Sequence, residues 1–387
     1  MSIGTINLSV FTRSAVRCGV SDYSRYLHAE LERFPEIESI RIVDAPADVV
    51  RAGALSALEH YHADKQRFRE LGAKMNALGA NLAHIQFQYF FFGGVAPHKN
   101  HTAAFLSAIR LPTVMTVHEI ALPKPQTPLS HRLLLQSVNR SIFLNPALSH
   151  LIVHTEQDRQ RLERIGVPHN KISVFLHGIP APQPLPNPDA VRKEMGLEGR
   201  RVLTLFGFLS NKKGHAFAIN ALEGLPEDVV LLFAGGQHPD DHTDYVPNLR
   251  RLVSQLHLEN RVRFMDYVPE EQIPSIMSIT DIALAPYTET SGSGSLALLM
   301  AYGLPIVASP IPPHQQIEHE AKGCLSLLPK LSSDCLRDHI SSLLNSPTRL
   351  SSLHDSALAY AETHSYQHMA EETLALYQQL LKNRFSF

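Results

Sequence analysis

Cysteine is scarce in this chain: Cys18, Cys324 and Cys335 are the only three, with no C-x-x-C spacing. That argues against a disulfide framework or a structural zinc site, and it suits a reducing compartment. An excess of charge of one sign is missing too. The 35 Lys and Arg residues stand against 37 Asp and Glu for a net charge of −2, so no overall field draws the chain toward nucleic acid. No apolar run approaches the length that spans a bilayer. The opening MSIGTINLSVF lacks a basic stretch followed by a long apolar run and a cleavage site. The expectation is a cytoplasmic protein without a nucleic-acid partner, peripheral contact with the inner face of a membrane remaining open. There is no internal repeat, which removes solenoids and propellers. The first β-rich run leads into TRSAVRCGVSDY instead of G-x-G-x-x-G, which argues against a dinucleotide-dependent oxidoreductase.

What is present is length and alternation. A chain of 387 residues is too long for one ordinary core and implies two domains of roughly 180 residues each. Short β-rich runs at 6–11, 39–44, 82–87, 113–118, 150–154 and 172–176 alternate with helical patterns such as SDYSRYLHAELERF. The alternation restarts at 201–209, 229–236, 261–267, 279–287, 304–309 and 324–328. This is the pattern of βαβ units and parallel sheets. Between the two series lies IPAPQPLPNPDA, whose alternating prolines bar helix and resist sheet. The expected organisation is an N-terminal α/β domain at 1–180, a linker at 181–198 and a C-terminal α/β domain at 199–362. A final helix at 363–387 is expected to return toward the first domain.

Ligands of open parallel sheets bind outside the carboxyl ends of the strands. In the second series those ends read FGFLSNKKGH, AGG, DYVPEE and TETSGSGSLALL. Glycines, a lysine and a serine-rich helix start are the parts that a diphosphate needs: amides to cradle oxygens and a cation to offset growing charge. Taken singly, each has an ordinary explanation. Lys213 suits a solvated surface, Gly235 and Gly236 suit a turn, and Ser293 suits an N-cap.

FGFLSNKKGHAFAINAL, LLFAGG, RVRFMDYVPEEQIPSIMSITDIALAPY and SGSLALLMAYGLPIVAS, in this order and spacing, resemble the donor-binding half of the retaining GT-B glycosyltransferases. The type is "glycosyl transferases group 1", family 4. RCGVSDYSRYL and TVHE are similar to that family's first glycine-bearing loop and histidine-containing strand end. The resemblance implies an α/β GT-B architecture, two Rossmann-like doubly wound parallel-sheet domains facing a central cleft. It implies transfer of a sugar from a nucleotide-diphosphate sugar, UDP or GDP foremost, to a saccharide, lipid-linked or metabolite hydroxyl with retention, in bacterial polysaccharide or glycan biosynthesis. No further cofactor is implied. No D-x-D motif stands in a convincing place, so metal independence is expected.

Carried onto this sequence, the resemblance puts Lys213 on the diphosphate, seconded by Lys212. Thr290, Ser291, Gly292, Ser293 and Gly294 lie at the phosphates, with Gly207 and Gly235 nearby and Tyr267 and Val268 along the nucleobase. Gly19 approaches the donor from the first domain. His118 meets the transferring sugar with Glu119 beside it, while His154 and His177 end strands on the same face. In HIQFQYFFFGGVAPHKN, alternation assigns Phe87, Tyr89 and Phe91 to the core. Phe90, Phe92, Gly93 and Gly94 are left for an acceptor site or a membrane-facing edge.

The sequence also departs from the family. The E-x7-E pair falls on Thr290 and Leu298, and Phe208 replaces the arginine of the FGR pattern. Glu289, one residue early, is the carboxylate left to reach the sugar. The losses keep two alternatives open: a non-catalytic nucleotide-sugar-binding protein, and a GT-B sugar-nucleotide epimerase. A glucan phosphorylase would need a pyridoxal lysine that cannot be placed.

Overall fold

The computed structural model describes residues 5–14, 18–46, 57–76, 79–123, 125–237, 243–290 and 292–384. The chain divides into two compact units, Met1–Gly178 with Tyr366–Phe387, and Ile179–Ser365. Each is an α/β sheet of six strands.

The first unit contains β1 (Ile6–Thr12), β2 (Ile37–Asp44), β3 (Leu82–Phe87), β4 (Thr113–Val117), β5 (Leu148–Val153) and β6 (Ile172–Val174). They pair in parallel in the order β2-β1-β3-β4-β5-β6. Every residue of β3 and β4 is buried, which is why these strands read as continuous runs: a parallel sheet covered by helices has no wet face. Strand order reverses between β1 and β3, so their carboxyl ends open a crevice.

Helix Tyr366–Arg384 completes this unit. It buries Tyr366, Met369, Ala370, Leu374, Tyr377 and Leu381 in one cluster with Tyr23, Leu27 and Leu31 of helix Gly19–Leu31. The spacing follows one helical stripe, and each large side chain so covered contributes about 1.5–3 kcal/mol.

The second unit contains β7 (Arg201–Phe206), β8 (Val229–Ala234), β9 (Val262–Met265), β10 (Ile282–Ala285), β11 (Ile306–Ala308) and β12 (Ser326–Leu327). Their order is β12-β11-β10-β7-β8-β9, again parallel. Strand order reverses between β7 and β10. The strands stop sooner than their apolar runs because glycine intervenes. Gly207 at φ 94° ends β7 and Gly235 at φ 150° ends β8, conformations that L side chains avoid.

The stretch expected to be a linker, 181–198, lies in the second unit and is extended only at first. The Asn187 side chain accepts hydrogen bonds from the Asp189 and Ala190 amides, and Pro188 opens helix Pro188–Glu194. Proline is tolerated there because the first helical N–H has no partner to lose. Arg192 of this helix pairs with Asp281 at 3.0 Å and Val191 is buried, which ties it to the sheet. Among the described residues, no helix is long and apolar enough to cross a membrane.

Candidate active site

The crevice of the second unit is built around Lys213. After β7, Gly207 turns the chain and a 3₁₀ turn, Asn211–Lys213, brings the lysine back over the strand end. Its ammonium Nζ donates to the Phe206 carbonyl and to the Ser295 hydroxyl, both at 2.9 Å. It also sits 5.7 Å from the centre of the Tyr287 ring. Burial lowers its pKa to about 7. The site thus holds an amine that an arriving anion would keep charged.

Glycine is required around it by contact, not by habit. A Cβ at Gly207 would lie 2.2 Å from the Ser295 hydroxyl and 2.4 Å from Lys213 Nζ. One at Gly235 would strike the Gly207 carbonyl at 2.5 Å, and one at Gly214 the Pro286 carbonyl at 2.0 Å. The loop after β10 is joined to the lysine turn by the Thr288 amide, which donates to the Lys212 carbonyl at 2.8 Å. The two loops at the switch point are therefore one packed body.

The serine-rich junction starts a helix. Ser293 is the N-cap of Gly294–Ala301, its hydroxyl accepting from the Leu296 amide at 3.1 Å. Just before it, the Thr290 hydroxyl donates to the Gly292 carbonyl at 2.6 Å. Ser291 lies outside the described residues. The helix start adds amide N–H groups and a positive dipole end at the same strand tips as Lys213.

Glu289 and Lys212 pair with each other at 3.0 Å, and both side chains are more than half exposed. Leu298 packs on the apolar cluster that includes Leu296 and Leu299, so the helix offers no carboxylate at that position. Tyr267 is exposed, with its ring 6.3 Å from that of Phe208. Val268 is buried among Val191, Val230 and Ile276. Gly236 approaches the Tyr267 amide closely, since a Cβ there would stand 3.1 Å from it.

In the first unit the strand ends gather histidines. His118, after β4, shares a hydrogen bond of 2.8 Å between Nε2 and Gln86 Oε1. Its ring meets the edge of Tyr23 at 4.7 Å and lies 5.3 Å from His154. His154 and His177 flank the same tyrosine at 5.1 and 5.4 Å. Burial, reinforced by the neighbouring histidines, pulls His118 well below the usual range. Burial also lowers His154 to about 4 and His177 to about 3. All three are neutral at pH 7 and act as hydrogen-bonding groups, not cations. Glu119 follows His118 and is half-buried. A Cβ on Gly19 would meet nothing within 4 Å, so its surroundings do not demand glycine.

The aromatic stretch after β3 differs from the alternating pattern. Residues Tyr89–Phe92 form a 3₁₀ turn, whose threefold period brings 92 onto the face of 89, and Phe91 is buried with them. Phe92, expected on the acceptor side, is instead fully buried, its ring 5.0 Å from Phe11, 5.6 Å from Phe87 and 5.4 Å from Phe105. Phe90 remains partly exposed, with the Arg13 guanidinium 5.7 Å above its ring. Gly93, at φ 93°, caps the turn, and a Cβ there would lie 2.0 Å from the Lys99 carbonyl. Gly94, at φ 116°, continues it.

Two residues of these sites escape a reading by motif. Ser295 holds Lys213 from 82 positions away, and its only signal is a hydroxyl in the first turn of the helix. Gln86 holds His118, and its signal is an amide inside a strand that is otherwise buried and largely apolar. Among the described residues there is no group of three or more His, Cys, Asp or Glu able to hold a metal ion.

Comparison with known proteins locates the similarity. Residues 200–346 match the family described as "Glycosyl transferases group 1". Spore coat protein SA of Bacillus subtilis (strain 168) is 26% identical over 206 residues, 51% of this chain and 52% of the relative. The chain thus spans about half the length of that curated relative. Among solved structures, sucrose-phosphate synthase from Thermosynechococcus elongatus superposes with a TM-score of 0.74 at 18% identity. The match covers 98% of this chain and 100% of that one. Anabaena HepE in complex with UDP-glucose gives a TM-score of 0.70 at 18% identity, with the same coverage. At such identities the likeness is one of fold, the α/β architecture of GT-B proteins.

Proposed function

We propose that the chain is a retaining glycosyltransferase that moves the sugar of a nucleotide-diphosphate sugar onto an acceptor hydroxyl. The observation that carries this reading is Lys213. A half-buried ammonium fixed to Phe206 and Ser295 at the β7/β10 switch point, beside a capped helix start, is a preorganised receptor for a diphosphate. The match over 200–346 covers this unit, and a structural neighbour binds UDP-glucose, which supports a UDP sugar as the donor.

In this reading Lys213 and the amides of 292–294 offset the charge that grows on the diphosphate as its bond to the anomeric carbon breaks. Ser291 belongs to the same proposed cradle, and Gly207 and Gly235 let the backbone approach it. Tyr267, with the backbone at Val268, lines the base. The acceptor oxygen bonds to the anomeric carbon on the face the diphosphate leaves, and the departing phosphate takes the acceptor's proton. Neutral His118, with Glu119 and the loop at Gly19, addresses the sugar; Phe90 and the Gly93-Gly94 turn border the acceptor.

A second reading is favoured by one observation. Thr290 and Leu298 offer no carboxylates, and Glu289 is occupied by Lys212, as in a binding protein without turnover. Incubation with UDP and GDP sugars and an acceptor panel, followed by NMR of the anomeric signal, separates the two. Transfer with an unchanged anomeric configuration is expected, as is a loss of turnover in Lys213→Ala well beyond its loss of stability. Binding without any product supports the second reading. Nucleotide release without an acceptor points to an epimerase.

A further inference from the structure

Tyr287 follows β10 and has no part in the reading above. The strand Ile282–Ala285 runs into Pro286 and Tyr287, whose carbonyl accepts from the Ser309 hydroxyl at 2.5 Å. The backbone is thereby held. The side chain is 3% exposed, and its hydroxyl is buried without a hydrogen-bond partner among the described residues. A phenol so placed has given up water and received no bond in return, an arrangement that native folds keep rare.

Its neighbours are the groups assigned to the diphosphate. The Lys213 ammonium lies 5.7 Å from the ring centre. Ser293, the cap of helix Gly294–Ala301, is near enough to act on the phenol but outside bonding geometry. Its own hydroxyl already accepts from the Leu296 amide at 3.1 Å. Burial raises the phenol to about 12, so it keeps its hydrogen at neutral pH. His314, its ring 5.4 Å from that of Tyr287, has none to give. Burial lowers it to about 4, and its Nδ1 donates to the Ser309 carbonyl at 2.9 Å, which leaves a lone pair on Nε2. Of the two rings, Tyr287 alone can donate to an anion. Lys212, the other cation of the lysine turn, is paired with Glu289.

We propose that the Tyr287 hydroxyl donates a hydrogen bond to the diphosphate of the sugar donor beside Lys213, a neutral donor where no second cation is held in place. This role rests on the diphosphate reading of the crevice.

Tyr287→Phe keeps the ring beside Lys213 and removes the hydroxyl alone. The test is titration calorimetry of the full chain, of Tyr287→Phe and of Lys213→Ala with UDP and with GDP, together with their melting temperatures without ligand. Tyr287→Phe is expected to bind the nucleotide roughly tenfold more weakly, the loss of one hydrogen bond to a charged group. Its melting temperature should equal or exceed that of the unaltered chain, because the hydroxyl it removes has no partner in the fold. Undiminished affinity in Tyr287→Phe, with a loss in Lys213→Ala, would overturn the role of Tyr287 and leave the Lys213 reading standing. A lower melting temperature with undiminished affinity would overturn it too and return the hydroxyl to the fold. Binding of neither nucleotide by the unaltered chain would overturn the diphosphate reading, and this role with it.

Discussion

Donor affinity should depend on pH through Lys213. Burial lowers this amine from 10.5 to about 7 in the unliganded protein, and a diphosphate held against it favours the charged form. The complex therefore keeps its proton to higher pH than the free protein. Binding near pH 6.5 finds most of the lysine already charged. At pH 8.5 only a few per cent is charged, and binding must first take up a proton. The ratio of charged fractions gives an affinity loss of roughly 20-fold across this window, close to 2 kcal/mol. A nucleotide sugar is the proper ligand, because its diphosphate has no proton to lose between these values. Titration calorimetry at pH 6.5, 7.5 and 8.5, in buffers of different ionisation enthalpy, reads affinity and proton uptake together. Lys213→Ala should bind more weakly at pH 6.5 and show a flat profile. An affinity constant across the range in the unaltered protein, with no proton uptake, would refute the placement of Lys213 at the diphosphate.

Three substitutions test the packing that creates the sites. Gly207→Ala puts a methyl on top of Ser295 and Lys213 at a left-handed φ of 94°. It should cost about 1–2 kcal/mol in urea denaturation from backbone strain alone and weaken donor binding about tenfold; unchanged binding would show that Lys213 need not sit over the strand end. Phe92→Ala should lose about 3–5 kcal/mol, as a truncated core ring does, and Phe90→Ala well under half of that. The reverse order in chemical denaturation would restore Phe92 to the surface.

The inner strands were legible because β3, β4, β8 and β10 are buried along their whole length, which leaves an unbroken apolar run in the sequence, whereas the edge strand β2 shows only alternation. Their ends were less so: the run at 201–209 continues through Gly207 and Phe208, and only the backbone conformation of Gly207 shows where extension stops. The same limit explains Phe92. Alternation is the right rule for a strand, but the chain leaves β3 at Phe87 and enters a 3₁₀ turn, which changes the period from two to three. Prolines at 180–188 read as a connector, yet the last of them begins a helix, because the Asn187 cap precedes it.

The sites were legible as strand ends and opaque as contacts. Lys213 stood out beside glycines, but its partner Ser295 lies in another loop that only the sheet order brings near. Histidines 118, 154 and 177 end separate strands, and the tyrosine they surround belongs to the helix after β1. Local spacing carries no record of such meetings. The pairing of Glu289 with Lys212 is likewise a contact between loops.

The central claim is that the β7/β10 crevice receives the diphosphate of a nucleotide sugar. A melting-temperature screen of the unaltered chain and of Lys213→Ala against UDP, GDP, ADP and their sugar conjugates tests it most directly. A ligand at about 100 times its Kd stabilises the folded state by about 2.7 kcal/mol. Ligands of one base should therefore raise the melting temperature by several degrees in the unaltered protein and by much less in the variant. No shift with any of them at millimolar concentration, or an equal shift in both proteins, would contradict the account.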